Sequence, residues 1–420
     1  MIRTGEETIL AAHWAGAESV ADSAGGASRG SNQTGVRAYN ERLVMSLVRR
    51  HGELAKADIA RLTGLSAQTV SVIMRSLESD GLLVRGAPQR GRVGQPSVPM
   101  RLNPEGAFSF GLKIGRRSAD LVVMDFVGGV RGILHKTYAW PSAGRLLDFV
   151  VKGVGELSAL LSDDGRRRIS GIGLAIPYEL WNWADEVGAP DGAMDEWRHV
   201  DLAAEIAALV PYPVFVENDA TAACGAELVF GRGPEFADFL YLFIGSFIGG
   251  GVVLNHALYP GRTGNAGAIG SMPVPGPDGR TVQLIDVASI FVLERMLKAA
   301  NIDPSPLWLS PEDWSGFGAL LDVWIEATAN HVAHAIVAAS SVIDFAATII
   351  DGGFPAPVRE RIVTAVNREI SQLDLQGIAA PEVTAGGVGA MARAIGGASL
   401  PLFNRYLLDR NVLFKDADNA

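Results

Sequence analysis

Charge is not spread evenly along this chain, and that unevenness rules out a single uniform body. Between Val36 and Asn103, eleven basic residues stand against five acidic ones. This local charge of +6 lies in a chain of formal net charge -10, leaving -16 for the rest. Segregation this sharp marks a separate module with an anionic partner, while the acidic remainder excludes a surface devoted throughout to nucleic acid. The 420 residues leave room for two or three domains, each large enough to bury a core.

The basic segment reads as three short helices and a ribbon. "NERLVMSLVRRH" places apolar residues at helical spacing, and "KADIARLTG" is a second helix ending at Gly64. In "LSAQTVSVIMRSLESDGLL", Ser66 is a natural N-cap and Val70, Ile73 and Leu77 share one face, with Gln68, Thr69, Ser71 and Arg75 on the other. Gly81 ends that helix, and "LLVRGAPQRGRVGQPSVPMRL" forms a two-stranded wing with Arg90 and Arg92 at its tip. Helix, short helix, glycine turn and polar-edged third helix make a winged helix-turn-helix over residues 37–104. The third helix then enters the major groove, where Gln68, Thr69 and Ser71 meet base edges, while Arg90 and Arg92 meet phosphates or the minor groove. The expected interface with double-stranded operator DNA is Ser66, Gln68, Thr69, Ser71, Arg75, Arg90 and Arg92. A small helical domain with an ordinary solvated face is the competing reading.

Residues 1–36 are rich in Ala, Gly and Ser without periodicity and are expected to form a disordered tail, with order beginning near Tyr39. The N-terminus has acidic residues where a secretory leader needs positive charge. "AHAIVAASSVIDFAATII" is interrupted by Ser340, Ser341 and Asp344, so a buried helix and strand are expected in place of a membrane span. The one cysteine, Cys224, can form no internal disulfide and no cysteine-rich zinc site. A cytoplasmic location without a membrane partner follows.

From Phe108 onward, strand-like runs alternate with helical patterns: "FSFGLKI", "ADLVVMD", "ISGIGLAIP", "YPVFVEND" and "DFLYLFIG", with long helices near 144–162, 285–300 and 313–341. Such alternation implies an α/β body, 105–420, in two lobes around a cleft, the longest helix being a core element linking them.

Three long stretches carry a family resemblance: "VFVENDATAACGAELVFG", "LYLFIGSFIGGGVVLNHALYPGRTGNAGAIGS" and "TAGGVGAMARAIGGASLPLF". With the basic module before them, they resemble a transcriptional regulator of the ROK family (repressor, ORF, kinase) over roughly residues 38–405. The resemblance implies a winged helix-turn-helix followed by a two-lobed actin/hexokinase-like, ribonuclease H-like ATPase fold. It also implies a nucleotide pocket that this sequence departs from. Where the family's sugar kinases have an Asp, two glycines and a Thr in the first phosphate turn, "LKIGRRS" supplies Lys113, Gly115, Arg116 and Arg117. In the second, Phe247 replaces a glycine. Bulky side chains obstruct close backbone approach to phosphates, so loss of kinase activity is expected, with no catalytic residue and no cofactor.

The sugar and metal sites depart too. The family's "GEIGH" is "GAIGS", with Ala268 and Ser271, and "VPGPDGRTVQLIDVAS" contains no cysteine or histidine for the family's zinc, so no metal is expected. Ile285, beside Asp286, stands where a Glu is usual. Asn218 and Asp219 match residues that hold sugar hydroxyls, the Asp serving as general base in the kinases; helix capping is the alternative. Asn218, Asp219, Asn265 and Ser271 are the candidate ligands of a sugar or polyol effector. Trp181, Trp183 and Trp197 either stack on sugar faces or pack a lobe edge or subunit interface. The expected protein is a sugar-responsive repressor of carbohydrate uptake or catabolism genes, a homodimer or homotetramer. A sugar kinase with a DNA-binding appendage and a constitutive DNA-binding protein are the alternatives.

Overall fold

The computed structural model describes residues 31–88, 98–177, 180–276 and 279–408. Its first helix, α1 (Ser31–His51), starts eight residues before Tyr39, correcting the expected tail. Arg37 holds this upstream turn by pairing with Glu41 (2.9 Å) and donating to Ser76 Oγ (3.0 Å). Strand β1 (Glu53–Leu54) follows, then α2 (Lys56–Thr63), whose C-cap Gly64 takes a left-handed φ of 70° and turns the chain into α3 (Ala67–Ser79). Ser66 Oγ accepts from Thr69 N (3.1 Å), the expected N-cap. Val70, Ile73, Met74 and Leu77 of α3 are buried against Val44, Met45, Val48 and Ile59. The ribbon of β2 (Leu83–Arg85) and β3 (Met100–Leu102) gains a third member, because β1 pairs with β3 through Glu53 opposite Arg101. A two-residue strand carries too little alternation to be read from sequence. Arg90 and Arg92 lie outside the described residues.

The first lobe is a sheet of order β6-β5-β4-β7-β8, built from β4 (Phe108–Ile114), β5 (Ser118–Asp125), β6 (Val130–Thr137), β7 (Ile169–Ile176) and β8 (Val214–Asn218). The β4–β5 pair is the expected hairpin, with Lys113 opposite Asp120 across it. Helix α4 (Ala143–Ser158) covers one face through Leu146, Val150 and Leu157. From β8 the chain enters α5 (Asp219–Phe230). The second lobe has order β11-β10-β9-β14-β15: β9 (Phe239–Ile244), β10 (Ile248–Leu254), β11 (Ala257–Leu258), β14 (Ala347–Gly352) and β15 (Glu382–Ala385). A separate hairpin pairs β12 (Pro273–Pro275) with β13 (Thr281–Gln283). Helices α6 (Ile290–Ala299), α7 (Gly318–Ser340) and α8 (Ala356–Ile370) share the second lobe's core. The expectation that α7 links the lobes is therefore corrected: Leu321, Trp324, Val332 and Ile336 are buried within one lobe. Its apolar residues point in several directions because that core surrounds it, a pattern that does not reveal which body does so.

The return to the first lobe is made by α9 (Ala392–Tyr406). It lies so close to the sheet and to α5 that a Cβ on Gly173 would sit 1.7 Å from Gly397 O, and one on Gly396 2.0 Å from Ala222 O. Both contacts are with backbone, so only glycine permits them. Beyond α9, β5 divides its side chains by period two: Leu121 and Val123 enter the lobe's core, Val122 and Met124 the core shared with the winged module. Half-buried Arg49 of α1 donates to the Phe126 carbonyl and lies over the Phe126 and Phe230 rings, at 5.6 and 5.3 Å. Burial lowers its pKa to about 10, which leaves it protonated at neutral pH. Arg50 reaches His256 Nε2 (3.0 Å), Leu408 N donates to Ser46 Oγ (3.0 Å), and Arg168 donates to Asp80 O (2.9 Å). Gly173→Ala is expected to destabilise the protein by at least about 1–3 kcal/mol, as overpacking against backbone does, read as a lower denaturant midpoint.

Candidate functional site: an interlobe cleft and an exposed helix of the winged module

Because β4 and β5 pair with Lys113 opposite Asp120, the hairpin delivers an ion pair to the cleft: Lys113 Nζ lies 3.0 Å from Asp120 Oδ2 and donates to Ser118 Oγ (3.0 Å). Burial lowers the Lys113 pKa, with Asp120 opposing. Asp120 is likewise resisted by burial, yet Lys113 and His135, whose Nδ1 lies 2.5 Å from Oδ1, hold its pKa far below the usual range. An ammonium thus stands where the kinases of the resembled family have a carboxylate facing the metal. A cation repels magnesium, so the residues present do not fit a nucleotide–metal complex.

Arg116 and Arg117, in the turn of the hairpin, bridge the cleft. Arg116 pairs with Glu294 of α6, Arg117 Nη2 lies 3.3 Å from the same carboxylate, and Lys298 Nζ lies 2.8 Å from it. Arg116 sits over the Phe247 and Phe291 rings at 5.6 and 5.9 Å; Phe247 in turn packs on Phe291 (5.4 Å) and Trp183 (5.0 Å). Arg117 lies over Trp308 (5.5 Å) and donates to Val187 O (2.9 Å). The arginine of the first turn and the phenylalanine of the second therefore pack on each other across the lobes. Burial works against the Glu294 charge, but Arg116, Lys298 and Arg117 outweigh it and keep the pKa below the ordinary glutamate value.

The four sugar candidates are differently disposed. Asn218 Oδ1 accepts from Ala220 N (3.1 Å) and Thr221 N (3.2 Å), the capping role left open by its sequence. Asp219 Oδ2 accepts from Arg393 Nη1 of α9 (3.1 Å), and Arg393 lies over Phe243 (4.7 Å). Asn265 and Ser271 are exposed in the segment after β11. Strand β10 runs beside both segments: a Cβ on Gly249 would meet Ala220 of α5, and one on Gly250 the Gly267 carbonyl and Ile269. Trp197 is buried with its Nε1 donating to Pro141 O (3.1 Å), and Trp183 meets Phe247, so both pack protein. Trp181 lies under Arg198 (5.6 Å). The β12–β13 hairpin occupies the segment where the resembled family holds zinc, and no group of three His, Cys, Asp or Glu suited to a metal occurs among the described residues.

On α3, Gln68 and Arg75 are exposed, as is Val72 at 49%. The helical step from 68 to 72 to 75 puts these three on one face. Ser66 and Thr69 spend their hydroxyls on each other (2.9 Å), and Ser71 Oγ lies 3.5 Å from Lys56 Nζ. Val72 was missed because only polar residues were taken as groove candidates; its position outside the Val70, Ile73, Leu77 stripe is the signal that could have found it.

Residues 109–283 match the ROK family and residues 39–92 the MarR family. The chain carries a ROK domain behind a MarR-type winged helix. A crystal structure of a ROK family transcriptional regulator, a homologue of the E. coli MLC protein, shares the fold with a TM-score of 0.62 at 19% identity, covering 91% of this chain and 99% of that one. An uncharacterized protein, y4fQ, of Sinorhizobium fredii is 24% identical over 375 residues, 88% of this chain and 92% of that protein. The xylose repressor of Bacillus subtilis is 25% identical over 244 residues, 58% of this chain and 62% of the repressor, so that match spans less than two thirds of the repressor.

In this ROK domain, the three cations around Glu294 are its structural dependence. Glu294→Gln is expected to cost about 3–5 kcal/mol, because buried Arg116 loses its countercharge. Since the folded pKa of Glu294 is depressed, its contribution is present above the unfolded value near 4.5 and is lost as pH falls through the folded one. Unfolding midpoints measured from neutral pH into acid should therefore fall less steeply in the variant than in the wild type.

Proposed function

We propose that this protein is a sugar-responsive transcriptional repressor of carbohydrate uptake or catabolism genes, acting in the cytoplasm on operator DNA as a homodimer or homotetramer, with phosphoryl transfer lost. The observation that carries this reading is the union of the two parts: a winged-module helix whose core continues into a kinase-like body, and two phosphate turns bridged by that body's own Arg116 and Phe247. The xylose repressor among the relatives supports the ligand class, and the MarR-type module supports the DNA partner. An oligomer would present two α3 helices to paired half-sites, so a ligand that alters the angle between lobes would alter their fit to the operator. Asn218, Asp219, Asn265 and Ser271 remain the effector candidates. Asp219 would accept a sugar hydroxyl, with Arg393 fixing its orientation.

In this reading Gln68, Val72 and Arg75 meet the major groove, with Ser66, Thr69 and Ser71 supporting the helix start and Arg90 and Arg92 serving the backbone or minor groove. Val72 offers an apolar contact suited to a thymine methyl. Quantitative binding to DNA upstream of its own and neighbouring genes, at fixed salt, with and without a panel of sugars and polyols, tests it. One sugar should shift affinity, Gln68→Ala should relax base preference by about 1–3 kcal/mol, and Arg92→Ala should weaken all sequences alike and flatten the salt dependence. Specific binding indifferent to every sugar would replace this reading with a constitutive one. The retained Asp219 favours a kinase with a DNA-binding appendage; ATP turnover that vanishes in Asp219→Asn would establish that instead.

A further inference from the structure

The lobes enclose a cavity of about 300 Å³ whose wall is unusual in its charge. Lys113, Arg116, Arg117 and Arg393 line it; Asp120 pairs with Lys113 and Asp219 with Arg393, which leaves Glu294 alone to face Arg116 and Arg117. The imbalance is concentrated at Glu294, a single carboxylate shared by Arg116, Arg117 and Lys298. Arg117 and Arg393 each also hold a buried Nε without a hydrogen-bond partner among the described residues. Buried donors left in this condition are costly, and a charge-assisted acceptor is what they lack. The rest of the wall is suited to a small carbon skeleton: Trp308, Leu307 and Ile290 are apolar, and Ser118 and Ser246 bring hydroxyls.

We propose that this cavity binds a compact organic anion, a small polyol skeleton bearing a phosphate or carboxylate group, at a site that adjoins the Asn218–Asp219 region through Arg393, which also donates to Asp219. A neutral sugar would leave the excess positive charge uncompensated. A magnesium nucleotide would meet Lys113 at the metal position and the Arg116–Phe247–Phe291 cluster at the phosphates. The anionic group lies against Arg117 and Arg393, and the skeleton lies along Trp308. Because Arg117 comes from the first lobe and Trp308 from the second, an occupant fixes the lobes relative to each other.

The test uses the full chain without DNA, so its outcome is separate from that of the operator reading. Calorimetry and thermal unfolding are run with inorganic phosphate, a sugar phosphate, an aldonic acid, the parent neutral sugars and magnesium ATP. At least one of the sugar phosphate and the aldonic acid should bind once per chain, raise the unfolding midpoint and weaken with added salt; which of them does so identifies the anionic group. Arg117→Gln should weaken that binding about tenfold or more, as loss of a charge-assisted hydrogen bond does. Should that variant fail to fold, the salt-sensitive stabilisation of the wild type by the anion over its neutral parent decides the matter. No anion binding, anion binding undiminished in folded Arg117→Gln, or turnover of magnesium ATP would overturn the proposal.

Discussion

The contact on which the architecture rests is backbone against backbone. Helix α9 approaches β7 at Gly173 and α5 at Gly396 more closely than any side chain would allow. That approach lets one helix serve three surroundings. Its first residues place Arg393 at Asp219 in the cleft, its middle covers the first lobe's sheet, and Ala394, Ala398 and Leu402 enter the core of the winged module. Dispersion and burial over such a tight interface compensate for the backbone freedom that glycines surrender on folding.

The cleft keeps the geometry of a phosphate-binding hairpin and reverses its electrostatics. A kinase holds metal and phosphate between lobes, whereas here Arg116, Arg117 and Glu294 supply both signs of charge from the protein itself. Desolvation opposes burying these ions, so the contacts that surround them matter: Phe247 and Phe291 under one guanidinium, Trp308 under the other. Phe247, where the resembled family has a glycine, furnishes a surface for Arg116.

How much of this was legible in the sequence depended on the range of the interaction. The winged module was readable because its determinants are local: the Ser66 cap, the Gly64 turn, and the stripe of Val70, Ile73 and Leu77 lie within one helical segment or next to it. The β4–β5 hairpin was readable for the same reason, and its exchange of a carboxylate for Lys113 was legible from residue type alone. The role of Glu294 was invisible, since its arginine partners are 177 and 178 residues away and the i, i+4 partner Lys298 is what an ordinary solvated helix face also offers. Strand β1 and the start of α1 were missed because a two-residue strand has no period and the turn before Tyr39 is secured by Ser76, far along the chain. The three tryptophans could not be divided between ligand and packing until Trp197 was seen donating to Pro141 and Trp183 resting on Phe247.

Strand β5 is a wall shared between two rooms. Leu121 and Val123 furnish one core, and Val122 and Met124 the other, so a slip of one residue in its register would exchange their contents. Neither core can be repacked without regard to its neighbour. A winged module exchanged with that of a relative would therefore have to travel with the matching face of β5 and the buried side of α9, and the natural unit of inheritance is larger than the DNA-binding domain itself.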